Sequence, residues 1–148
     1  MSYKSKPLPL TFACAATESK LFPSDSGNEI ALCGRSNSGK STLINALANQ
    51  KKLAKTSNTP GRTQSINFFH LTNDEAKKIV DLPGFGYAKA SKQDQNAWAK
   101  LILSYLEKRA ALTDLILIMD MRHPFQNKDL EFLSCLLYTS DAADERNS

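Results

Sequence analysis

Apolar positions along the chain change period several times, and each change marks an element. Glu29-Ile30-Ala31-Leu32-Cys33 is a short apolar run of buried-strand type, whereas Ser41 to Ala48 carries helical spacing at Leu43, Ala46 and Leu47. Ile66 to Leu71 and Ile79 to Leu82 read as two strands joined by a turn around Thr72-Asn73-Asp74-Glu75, an antiparallel hairpin by loop length. From Gln93 to Leu112 the spacing is helical again, with Trp98, Leu101, Ile102, Tyr105 and Leu106 forming a core-facing stripe. Leu115-Ile116-Leu117-Ile118-Met119 is apolar throughout, as a parallel strand covered on both faces should be. A further helix begins near Asn127, with Leu130, Leu133 and Leu137 on one side. Residues 8–16 suit a short strand or turn packed beside the domain, and Pro23 to Asn28 is a loop by composition. Strands alternating with helices give an α/β fold.

The polar stretches add a second layer. Asn49 to Ser65 is rich in Lys, Thr, Asn, Pro and Gly, and Lys51, Lys52, Lys55 and Arg62 make it basic. A loop of that length inside a compact domain is usually functional. With 148 residues, 41% hydrophobic and 23% charged, the chain is one globular domain's worth of sequence. Its net charge of +4 allows an acidic partner such as RNA and equally suits a plain solvated surface. Cys14, Cys33 and Cys135 show neither metal spacing nor an even count, so a reducing compartment is expected. No apolar run approaches the roughly 18 residues of a membrane span. Lys4 and Lys6 followed by Leu8 to Ala16 imitate a signal peptide, but Pro7, Pro9 and Thr11 interrupt the apolar core.

The chemistry concentrates between the first strand and first helix. Gly34-Arg35-Ser36-Asn37-Ser38-Gly39-Lys40-Ser41-Thr42 satisfies G-x-x-x-x-G-K-[ST], a loop whose backbone amides wrap a polyphosphate. Glycines are needed where the chain turns tightly or a Cβ would intrude. Lys40 would reach the β and γ phosphates and Ser41 would offer its hydroxyl to magnesium, with the helix N-terminus adding positive potential. The second strand runs into Asp81-Leu82-Pro83-Gly84, a D-x-x-G element placed to hold magnesium through water and to donate an amide to the γ phosphate. Thr59-Pro60-Gly61-Arg62-Thr63 lies between, making Thr63 the natural second hydroxyl for the metal. Each element alone has a bland reading as a turn; the three in this order point to a nucleoside triphosphate with magnesium. His70 and His123 stand apart from Cys or carboxylate clusters and read as structural.

Taken with TPGRTQS, DLPGFGYA, YLEKR and MDMRHP, the glycine-lysine loop makes residues 8–134 resemble the EngB (YihA/YsxC) GTPases, relatives of TrmE and Era. The resemblance implies a Ras-like three-layer α/β sandwich with a mostly parallel sheet. It implies GTP/GDP and Mg2+ as ligands, a cytoplasmic location, and a role in large ribosomal subunit assembly that affects cell division and septation. The partner would be the large subunit or its rRNA, with neither DNA nor membrane involved, and the intact protein would be a monomer. Site residues implied are Gly34 to Thr42, then Gly61, Arg62, Thr63, Gln64 and Ser65, then Asp81, Leu82, Pro83 and Gly84; Ser41, Thr63 and Asp81 serve the metal, and Lys40, Thr63 and Gly84 are the catalytic residues.

The chain also departs from that pattern. A guanine-reading T-K-x-D element is absent from it, and residues 135–148 resemble a translated sequencing-library adapter, so the expected organisation is an extension over 1–28, a partial G domain over 29–134 and a non-native tail. Such a fragment would lack its last strands and helix, expose Leu115 to Met119 as an apolar edge, and be poorly soluble and weak in nucleotide binding. Phe85 stands where Ras-like proteins carry a water-orienting glutamine, so slow intrinsic turnover is expected. Asn37 occupies the position at which some related GTPases ligate K+, with simple bracing of the loop as the other reading; Arg62 is the less favoured finger. The competing functions are a P-loop enzyme using ATP, an RNA-binding module with structural nucleotide, and an inactive fragment.

Overall fold

The computed structural model describes residues 6–35, 38–55, 64–85, 91–127 and 129–134. Strand β2 (Asn28–Gly34) lies between two parallel neighbours, β4 (Asp74–Asp81) and β5 (Leu112–Ile118). Strand β3 (Ile66–Leu71) adds antiparallel to β4, and β1 (Leu10–Ala16) adds antiparallel to β3. The five-stranded order is therefore β1-β3-β4-β2-β5, a mixed sheet rather than the mostly parallel one expected. The hairpin and the N-terminal strand supply the antiparallel half; in the hairpin the short connection between β3 and β4 returns the chain antiparallel.

Side-chain alternation along β2 sends Ala31 and Cys33 to one face and Leu32 to the other. Helix α1 (Lys40–Ala48) covers the Leu32 face, where Ile44 and Ala48 pack with Leu10 and Phe69. Helix α2 (Lys92–Lys108) covers the opposite face, where Leu101, Ile102 and Tyr105 pack with Phe68 and Val80. Three layers result. Each such side chain removed from water contributes roughly 1.5–3 kcal/mol. Trp98 and Leu106 complete the predicted stripe at the margin of that core.

Several boundaries differ from expectation for identifiable reasons. Strand β4 starts at Asp74, not Ile79, because its polar first half pairs within the hairpin before the strand reaches the core. Helix α2 stops at Lys108, four residues early, since Arg109 turns extended and its side chain is captured elsewhere. The chain then enters β5 at Leu112. In the helical stretch 129–134 the inward residues are Asp129 and Phe132, while Leu130 stays 49% exposed. Phe132 is drawn in by stacking on Phe85, with ring centroids 4.9 Å apart. Leu137 lies outside the described residues.

Residues 10–16 form a full strand of the sheet, and β1 is further tied to its surroundings. The Leu8 amide donates to Leu47 O, the Thr72 amide to Pro9 O, and the Thr11 and Thr72 hydroxyls lie 2.7 Å apart. At the other margin, β5 pairs only with β2 among the described residues, and Ile116 is 46% exposed. Among the described residues no helix is long and apolar enough to cross a membrane.

Candidate functional site

The C-terminal end of β2 feeds directly into the glycine-lysine loop. Gly34 is fixed by its surroundings: a Cβ there would lie 2.5 Å from Ile118 O and 2.6 Å from Ser38 Oγ. Gly39 has room around it but takes φ of +101°, a backbone conformation that L side chains avoid, and it is the N-cap of α1. No side chain caps this helix start, so its leading amides remain open to an acceptor from outside. The Ser38 amide donates to Arg35 O, and the Phe85 amide donates to Gly34 O at 3.2 Å. That second bond, with the Leu82 amide on Leu32 O, holds the D-x-x-G turn alongside the loop.

Lys40, at the start of α1, and Asp81, at the end of β4, are both buried, and each feels the other's charge. Burial lowers the Lys40 pKa, opposed by the charges of Asp81 and Cys33. Burial likewise pushes Asp81 up to about 6, against the pull of Lys40 and a hydrogen bond from Asn67. Cys33, just before the loop, is pushed up to about 12 by burial despite Lys40, and its thiol faces Ile116 O; it is an inert core group.

Four buried polar side-chain atoms have no partner among the described residues, and three of them, Arg35 Nε, Ser38 Oγ and Asp81 Oδ1, belong to the loop and to the end of β4; the fourth is Asp129 Oδ1. Leaving a buried polar group unpaired costs about 1–3 kcal/mol, and a bound group at the end of β2 would offset that cost for these three. The donor set fits a polyphosphate, with cationic and amide donors at the loop, and a hard cation, with hydroxyl and carboxylate oxygens beside it. Among the described residues no group of three or more His, Cys, Asp or Glu could hold a metal unaided. A magnesium ion here would therefore rely on phosphate and water oxygens as well.

Of the residues singled out from sequence, Gly34, Arg35, Ser38, Gly39, Lys40 and Ser41 converge with Asp81 to Gly84. Thr42 sits exposed on the first turn of α1. The Ser41 hydroxyl points to Lys55 O at 3.4 Å, linking the helix start to the basic loop. Gln64 and Ser65 lead into β3, with Ser65 Oγ donating to Asn67 Oδ1 at 3.1 Å. Ser36, Asn37, Gly61, Arg62 and Thr63 lie outside the described residues. Phe85 is 7% exposed and packed with Trp98 and Phe132, so it serves the core. His70 Nδ1 lies 2.8 Å from Leu71 O, consistent with a structural role.

Two contributors escaped the sequence reading. Asn67 faces the Asp81 carboxylate from β3, directly opposite it in the ladder. Trp98, read only as packing, donates its indole N–H to Pro83 O at 2.9 Å. The polar position within Ile66-Asn67-Phe68-Phe69 was the only signal for the first; nothing local signals the second.

Comparison with known proteins agrees with this geometry. A model of the family described as "50S ribosome-binding GTPase" matches residues 29–143. A probable GTP-binding protein EngB of Salmonella newport is 47% identical over 122 residues, covering 82% of this chain and 57% of that protein. One from an Escherichia coli O139:H28 strain is 46% identical over the same length and shares. The chain thus spans a little over half the length of these curated relatives. A crystal structure of a probable GTP-binding protein EngB superposes with a TM-score of 0.54 at 29% identity, covering 73% of this chain and 65% of that one. Family model, curated relatives and superposed structure agree: the chain belongs to the family of 50S ribosome-binding GTPases, with EngB proteins among its relatives.

Proposed function

We propose that this chain carries the phosphate and magnesium half of a GTP-binding, GTP-hydrolysing switch that acts in assembly of the large ribosomal subunit, in the cytoplasm, with consequences for cell division. The reading rests above all on the buried Lys40 and Asp81 at the loop and the end of β4, with Arg35 Nε, Ser38 Oγ and Asp81 Oδ1 left without a partner among the described residues. In this reading the amides from Arg35 to Ser41 cradle the phosphates, and Lys40 sets its charge against the β and γ oxygens. The Ser41 and Thr63 hydroxyls and the Asp81 carboxylate would hold the metal. When bound, magnesium neutralises charge on the phosphate oxygens. Gly84 donates its amide to the γ phosphate, so that loss of this phosphate frees the turn and the basic loop after α1 to change their surface toward rRNA. Phe85 lies in the core and offers a water molecule no hydrogen bond, so unaided hydrolysis is slow, and Asn37 with K+ is the proposed aid.

Calorimetric titration with GDP, a non-hydrolysable GTP analogue and the adenine counterparts, with and without magnesium, tests the reading. Magnesium-dependent binding of the guanine nucleotides is expected. Binding of neither guanine nucleotide would overturn the assignment. Preference for adenine would redirect it to an ATP enzyme, and salt-sensitive rRNA binding indifferent to nucleotide would redirect it to an RNA module.

A further inference from the structure

We propose that Trp98 is a positioning residue for the Gly84 amide, its indole fixing the orientation of the peptide group through which the switch senses the terminal phosphate; this rests on the reading of Gly84 given above. The Trp98 indole N–H donates to Pro83 O at 2.9 Å. Pro83 O and the Gly84 N–H belong to one planar peptide unit, and in a trans peptide they point in opposite directions. The described chain contains no cis peptide. Holding the oxygen toward α2 therefore turns the Gly84 N–H away from α2.

The flanking residues fix both ends of the turn and leave this peptide between them free to reorient. Leu82 is anchored through its amide to Leu32 O, and Phe85 through its amide to Gly34 O, so both ends of the turn are fixed to β2. Between two fixed ends, a peptide can still rotate like a crank, exchanging the directions of its oxygen and its N–H. Trp98 supplies the bond that opposes this rotation. The indole is itself held by an edge contact with Phe85, centroids 6.1 Å apart, and a tilted contact with Phe132 at 6.1 Å. No described residue accepts from the Gly84 amide, which leaves it for a ligand. A phenylalanine at position 98 would fill most of the same space without the donor.

The test compares affinities for GDP and for a non-hydrolysable GTP analogue, in magnesium, for the unsubstituted chain, Trp98→Phe, and a chain carrying benzothienylalanine at position 98, which keeps the indole's shape but has sulfur for the N–H. Both substituted chains should hold GDP as before and lose about fivefold or more in affinity for the analogue, the effect of one misaimed hydrogen bond to a charged acceptor. An unchanged ratio of the two affinities in the benzothienylalanine chain overturns the proposal. So does equal weakening of both nucleotides, which would make Trp98 a packing residue only. If the unsubstituted chain binds neither nucleotide, the functional reading falls and this proposal falls with it. Trp98 is the chain's only tryptophan, so its emission in the two nucleotide states gives an independent readout. A spectrum insensitive to the terminal phosphate also counts against the proposal.

Discussion

The two ends of β2 each bury charge, but they do so differently. At its start, Glu29 is fully buried and every partner is supplied by the chain: Arg109 binds both carboxylate oxygens, at 3.0 Å and 2.7 Å, and the Tyr105 hydroxyl donates at 2.9 Å. Arg109 also donates to Pro23 O and Ser24 O, and its guanidinium lies against the rings of Phe22 and Phe68. At the other end, Lys40 and Asp81 are buried with partnerless polar atoms around them. A saturated cluster is architecture, tying the loop before β2 to the end of α2. An unsaturated one costs stability and is kept for a ligand.

The sharpest way to break this contrast is to open the closed end. Arg109→Met should cost about 3–5 kcal/mol in urea unfolding, because the buried Glu29 carboxyl loses its main partner, while nucleotide affinity of the folded protein stays the same. A parallel loss of affinity would mean that the two ends are not separable.

The second prediction concerns pH at the open end. Asp81 titrates near 6 when folded, above its ordinary carboxylate value. The folded state thus holds the proton to higher pH than the unfolded chain. This contributes stability that is present below about pH 4 and lost as pH rises through about 6, amounting to at most about 3 kcal/mol. Urea unfolding of the nucleotide-free protein and of Asp81→Asn should therefore diverge between pH 4 and 7, the variant gaining relative to the parent. Identical pH profiles would show that Asp81 carries no such penalty.

Lys40→Met should weaken nucleotide binding roughly 10- to 100-fold by calorimetry, the value of a hydrogen bond to a charged group. The smallest effect expected is for Gly39→Ala. There is space for its methyl group, but the backbone at φ +101° is strained for alanine, so a cost of about 1–2 kcal/mol in thermal or urea unfolding is predicted. No cost would show that the loop relaxes without its glycine.

How much of this was legible beforehand depended on the range of the interaction. The strand and helix flanking the glycine-lysine loop follow from local period and are found at Asn28–Gly34 and Lys40–Ala48. The pairing of Asn67 with Asp81 could not be read. A regular two-residue turn at Thr72-Asn73 would set Asn67 opposite Lys78, but an irregularity between His70 and Leu71 shifts the register. Glu29 looked like one polar residue in an apolar strand, and its partner Arg109 lies 80 positions away. Nothing within a helical window announces that α2 must end where its next side chain is claimed by another strand.

The placement of β1 restricts how a partner can recognise the segment entering β3. Because β1 occupies the free side of β3 from Leu10↔Leu71 to Ala16↔Ile66, the backbone groups on that side are already taken. A partner cannot annex β3 by adding a strand of its own, and must instead read side chains and charge, a mode open to folded RNA as readily as to protein.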